Sequence, residues 1–126
     1  MSQGDQRPSV WVGHVVLESD RLDETARFMR TIGMRMIFPG PNVAVFELRG
    51  GTHLVVLASN TVVAGEAPFD LMVEDLHATH RQFTELGLEP TAIETAANMP
   101  HTFFRVREPA GHVITFYSSH VSDQPV

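Results

Sequence analysis

The chain has 126 residues, a formal net charge of -6, 43% hydrophobic residues and no cysteine. That is enough apolar material for the core of one domain spanning 1–126, and it excludes disulfide and thiol chemistry. The acid excess and scattered basic residues argue against nucleic acid or an anionic membrane surface as a partner.

No apolar run is long enough to cross a bilayer. The polar start "MSQGDQRPS" carries no secretory pattern, so the cytoplasm is the expected location. Residues 1–9 and 120–126 read as frayed polar ends.

In chain order, "WVGHVVLES" (11–19) reads as a strand that carries His14 among apolar residues. Alternation places Val12, His14, Val16 and Glu18 on one face. A helix follows over Leu22–Ile32, with Asp20 as N-cap, Asp23 and Glu24 in the first turn and Gly33 as the stop. Leu22, Ala26, Met29 and Ile32 share its apolar face. Three strands come next, over 34–38, 42–48 and 52–59, with "PGPN" and "RGG" as turns. "TVVAGEA" (60–66) is a linker.

The same order then recurs. "GHVVLESDRLDETARFMRTIGMRM" (13–36) aligns with "APFDLMVEDLHATHRQFTELGLEP" (67–90) at a shift of 54, matching Leu17 to Leu71, Leu22 to Leu76, Met29 to Phe83 and Gly33 to Gly87. The second helix starts at Asp75 and stops at Gly87. Strands follow over 89–94, 101–107 and 111–119, with Pro109 presetting the last turn. Internal repetition of this kind marks two copies of one supersecondary unit.

The expected fold is α+β: two βαβββ modules, about 10–59 and 67–119, forming an open, cleft-containing barrel. One helix covers one face of each sheet, and the remaining face borders a cleft where a ligand would sit.

With its "GHVVLESDRLDETARFM", "LGLEP" and "REPAGHVITFYSS" stretches in this order, the chain resembles the vicinal oxygen chelate superfamily, the glyoxalase/bleomycin resistance/dioxygenase group. The last stretch is similar to that family's "DPDGN-x-I-E-L-Y" hairpin. The resemblance implies two function classes. One is metal-dependent enzymes: glyoxalases, epimerases, extradiol dioxygenases and thiol transferases. The other is metal-free proteins that sequester antibiotics of the bleomycin or mitomycin type. It also implies a homodimer.

For the metal enzymes the resemblance implies four ligands, on the first and last strand of each module. Typical entries are His or Gln, Glu, His and Glu, which suit zinc, nickel, manganese or iron. Here those positions read His14, Val56 (or Val55), Pro68 and Thr115, so one ligand type of four is present. A displaced set would have to draw Glu18, Glu66 or Asp70 to His14.

The favoured expectation is a protein that binds a small organic molecule without a cofactor, through His14, Glu18, Val56, Pro68, Arg105, Thr115 and Tyr117. A divalent-metal lyase or dioxygenase using His14 is the alternative. Thr115 and Tyr117 share one strand face. Arg105 is either an anion clamp or a solvent-facing residue. Phe46, Phe103 and Phe104 are expected as core or pocket wall, and Met34, Met36, Met72 and Met99 as apolar filler. His53 is expected to point away from the cleft, and His77, His80, His101 and His112 to be solvated. Loops 60–67 and 95–101 would set ligand choice.

Overall fold

The computed structural model describes residues 4–98, 101–119 and 125–126. The first module comprises β1 (His14–Ser19), α1 (Leu22–Thr31), β2 (Arg35–Pro39), β3 (Val43–Glu47) and β4 (His53–Ala58). The second comprises β5 (Leu71–Val73), α2 (Leu76–Glu85), β6 (Glu94–Thr95), β7 (Thr102–Arg107) and β8 (Val113–Ser118). They build two open four-stranded sheets, ordered β1-β4-β3-β2 and β5-β8-β7-β6. The first and last strands of each module pair in parallel, and the other pairs are antiparallel. The sheets do not close into a barrel.

Both helices form where apolar periodicity predicts them. α1 buries Ala26, Phe28 and Met29, and α2 buries Leu76 and Phe83. The two helix starts differ. Asp75 caps α2, its carboxylate accepting from Ala78 N at 2.9 Å. Asp20 does not cap α1 as expected: Arg21 holds the N-cap position, and the Asp20 carboxylate is 3.1 Å from Arg21 Nε. Both helices then break at glycines of positive φ, Gly33 at 118° and Gly87 at 77°, a conformation that L side chains resist.

One cluster of buried residues runs through both modules, including Leu17, Met29, Phe46, Leu54 and Val56 from the first and Phe83, Phe104, Ile114 and Phe116 from the second. Phe83 meets Phe104 and Phe116 edge-on, at 5.8 and 5.2 Å between ring centroids, a geometry aromatic quadrupoles favour.

A polar contact also joins the modules. Glu108, in the turn between β7 and β8, is 1% exposed. It accepts from Thr25 Oγ1 of α1 at 2.8 Å and from its own turn's His112 N at 3.0 Å. Ser19 Oγ lies 2.7 Å from Thr25 Oγ1 and accepts from Arg21 N. His112 Nε2 donates to the Glu18 carbonyl at 2.7 Å. The turn therefore docks on the end of β1, and His112 is buried rather than solvated.

Two strand bounds depart from expectation. Of the segment expected as a strand over 89–94, only Glu94 lies in β6 (Glu94–Thr95), because Glu89 turns to a φ of 54° and Pro90 cannot donate to a ladder. β1 starts at His14, leaving Trp11 in an extended arm, 72% exposed.

Candidate functional site

In each sheet one face packs on its helix. On β1 the inward residues are Leu17 and Ser19, and on β4 they are Leu54 and Val56. His14, Val16 and Glu18 on β1, and His53, Val55 and Leu57 on β4, therefore share the opposite, open face.

That face is organised in cross-sheet rows. His14 opposes His53, His53 opposes Glu47, and Glu47 opposes Arg35. The imidazoles stack with centroids 5.7 Å apart. His53 Nε2 stands 3.7 Å from Glu47 Oε2, and Glu47 is ion-paired with Arg35. The Arg35 guanidinium, with a smaller contribution from its charge and from His53, holds the Glu47 carboxyl below its ordinary value.

The next row is wholly apolar: Val16, Val55, Val45 and Phe38. A bulge between Met36 and Phe38 shifts the register and puts Phe38 on this face. Val16 is 45% exposed, so a hydrophobic strip lies open to solvent beside a polar one.

The open face of the second sheet is built likewise. Phe104, Val106, Ile114 and Phe116 point to the helix side. Phe103 opposes Tyr117, and Arg105 opposes Thr115. The row through Phe103 reads Met72, Tyr117, Phe103 and Glu94 across four strands.

The expected site residues thus fall in three groups. His14 and Glu18 stand on the first open face; Arg105 and Tyr117 stand on the second, with Thr115 opposite Arg105 but buried, 7% exposed. Pro68 and Asp70 are exposed just before β5, and Glu66 bridges to Val113.

Val56 is a correction. It is 0% exposed, in the core, and Val55 takes the open position. His53, expected to point away, instead joins His14 on the open face. His80 is not solvated: its Nε2 donates to the Thr91 carbonyl at 2.8 Å and its ring meets Phe104 edge-on. His77 is exposed as expected, and His101 is half-buried, edge-on to Tyr117. Met72 is exposed rather than filler, and Met99 lies outside the described residues.

Sequence reasoning missed the roles of His53, Glu47, Arg35 and Glu94. No local signal marks His53, because Leu54 to Leu57 after it are apolar throughout.

Two cavities lie off these faces. One of about 240 Å³ sits between α1 and β2–β3, lined by Leu22, Ala26, Met36 and Ala44 among others. Another of about 740 Å³ lies between the N-terminal arm and the β3–β4 turn, near Trp11 and Arg49.

The profile of the glyoxalase/bleomycin resistance protein/dioxygenase superfamily matches residues 11–116. The chain belongs to this superfamily. Among solved structures it is similar to lactoylglutathione lyase from Agrobacterium tumefaciens, at 19% identity over 90% of this chain and 96% of that one, with a TM-score of 0.75. It is similar to a bleomycin resistance determinant encoded on transposon Tn5, at 18% identity over 89% and 100%, with a TM-score of 0.72. A bleomycin-binding protein complexed with bleomycin matches at 18% identity over 89% and 100%, with a TM-score of 0.68. Compared with curated proteins by sequence, the chain finds no match. These likenesses establish the fold.

The superfamily's metal chemistry needs at least three protein ligands around an open position. Among the described residues no three His, Cys, Asp or Glu side chains converge to hold a metal. His14 and His53 supply two imidazoles, but the nearest carboxylate, Glu47, is engaged by Arg35. The residues present do not fit the superfamily's four-ligand centre. No helix among the described residues is long and apolar enough to cross a membrane.

Proposed function

We propose that the chain binds a small, partly apolar organic molecule on the open faces of its sheets, in the manner of the superfamily's antibiotic-binding branch. The observation that carries this reading is the pairing of an exposed apolar row, Val16–Val55–Val45–Phe38, with the polar row of His14 and His53 beside it. Apolar area supplies the affinity, and a few polar groups fix orientation. Glu18, Arg105, Thr115 and Tyr117 are the further contacts. The similarity to a bleomycin-binding protein complexed with bleomycin supports this class of ligand.

A second copy of the chain would cover the apolar row and complete the cleft. A homodimer is therefore part of the proposal.

The stacked His14–His53 pair favours one second reading, a divalent-metal lyase or dioxygenase. That reading requires a further donor from outside the pair.

The test is a thermal-shift screen with bleomycin, mitomycin and small aromatic compounds. A ligand at 100 times its Kd adds about 2.7 kcal/mol to stability. At least one compound should raise Tm in the wild type and fail to do so in Val55→Asp. A screen with no response, or a response that Val55→Asp retains, overturns the reading.

A further inference from the structure

We infer that the second sheet's open face is a subsite for a planar, conjugated group bearing a negative charge, with Arg105 as its anion contact. This rests on the ligand-binding reading above and names the class of ligand.

The inference comes from four side chains set by register. Phe103 and Tyr117 are cross-strand partners with ring centroids 5.6 Å apart and planes tilted by 50°. Both are only half-buried, so ring surface remains open. Two residues along β7, Arg105 lies on the same face, with its guanidinium carbon 4.8 Å from the Phe103 ring centroid. Thr115 stands opposite Arg105 and is buried, so it forms the floor beneath the guanidinium.

The cation–π contact with Phe103 restrains the guanidinium over the ring. A planar fork presented in this way is preorganised for a carboxylate, sulfonate or phosphate, which it can grip through two parallel bonds.

Among the described residues, Arg105 has one competing anion. Glu94 Oε2 is 3.7 Å from Arg105 Nη1, with the two side chains 56% and 38% exposed. That separation exceeds a direct hydrogen bond, and such exposed pairs contribute little. An anion seated at bonding distance displaces Glu94 readily. The rings beside it accept the conjugated part of the same molecule, and Met72, next to Tyr117 in the row, extends that floor with a polarisable side chain.

Two fluorescent probes that differ only in charge test this. 8-Anilinonaphthalene-1-sulfonate carries a sulfonate, and N-phenyl-1-naphthylamine has the same rings without it. Each is titrated into the full chain, the wild type and two variants, with circular dichroism confirming the fold. The sulfonate probe should bind the wild type more tightly than the neutral one. Arg105→Gln should weaken the sulfonate probe about tenfold, as expected for loss of a charge-assisted contact, and leave the neutral probe unchanged. Glu94→Gln should do the opposite, tightening the sulfonate probe about threefold by removing a competing charge.

If both probes bind and neither variant separates them, the anion subsite is wrong while the ligand-binding reading stands. If neither probe binds the wild type, both fall. Should Arg105→Gln fail to fold, Glu94→Gln alone decides: an unchanged sulfonate affinity overturns the inference.

Discussion

His14 stacks against His53, its direct partner in the parallel β1–β4 ladder, with ring centroids 5.7 Å apart. Two imidazoles fall short of the donor set that the superfamily's metal chemistry needs. If they act as polar contacts to an organic ligand, metal is dispensable. Treatment with a chelator should leave affinity for a ligand found in the screen unchanged. His14→Ala and His53→Ala should each cost about 1 kcal/mol of binding, the net worth of a hydrogen bond. Stoichiometric metal on the purified protein, lost in His14→Ala together with ligand binding, would instead favour the metal enzyme.

The Thr25–Glu108 bond spans 83 residues and locks one module's turn to the other's helix. Glu108→Ala would leave Thr25 Oγ1 and His112 N buried without their acceptor. The expected loss is about 2–4 kcal/mol, since two buried donors lose their acceptor at once. Thr25→Val should cost about 1–2 kcal/mol, and the double variant less than the sum. Urea unfolding measures all three. Strict additivity would show that the two side chains do not act as one contact.

The distinction between these two places explains what the sequence reveals. The repeat was legible because each copy carries its own helix period, acidic first turn and stopping glycine, as Leu22 to Gly33 and Leu76 to Gly87 show. The face of β4 was not. Leu54, Val55, Val56 and Leu57 form a continuous apolar run, which has no alternation from which to assign a side. The expectation of Val56 in the cleft and His53 pointing away fails for that reason. His112 and Glu108 dock on partners, the Glu18 carbonyl and Thr25, that lie 94 and 83 positions away. Local pattern carries no trace of that docking. The displaced Asp20 cap has a local cause, since Arg21 draws its carboxylate away.

Acid should weaken the row behind the histidines. Hydrogen bonding from Arg35 depresses the Glu47 carboxyl. A depressed carboxylate contributes stability that is present above its unfolded-state pKa and lost as pH falls through the folded one. Arg35→Gln should therefore raise the Glu47 pKa toward the ordinary carboxylate range and remove this contribution to acid sensitivity. Carbon-detected NMR titration of the Glu47 carboxyl reads this directly. An unmoved pKa would mean that Arg35 is not its partner in solution.

Core and open-face residues should separate stability from binding. Phe116 is buried against Phe83 and Phe104, so Phe116→Ala should cost about 3–5 kcal/mol. Val16→Thr, on the exposed row, should change stability by less than about 0.5 kcal/mol. It should nonetheless weaken ligand binding, by placing a hydroxyl in apolar contact. Denaturation and titration of the same two variants check the split.

The most direct test of the account is where a bound molecule sits. Amide chemical shifts of the labelled chain, followed during titration with the sulfonate probe, locate it residue by residue. The account predicts perturbations at Met72, Phe103, Arg105 and Tyr117, on the open face of the second sheet. Perturbations concentrated at Leu22, Ala26, Met36 and Ala44 in the α1 cavity, or around Trp11 and Arg49 in the arm groove, would contradict it.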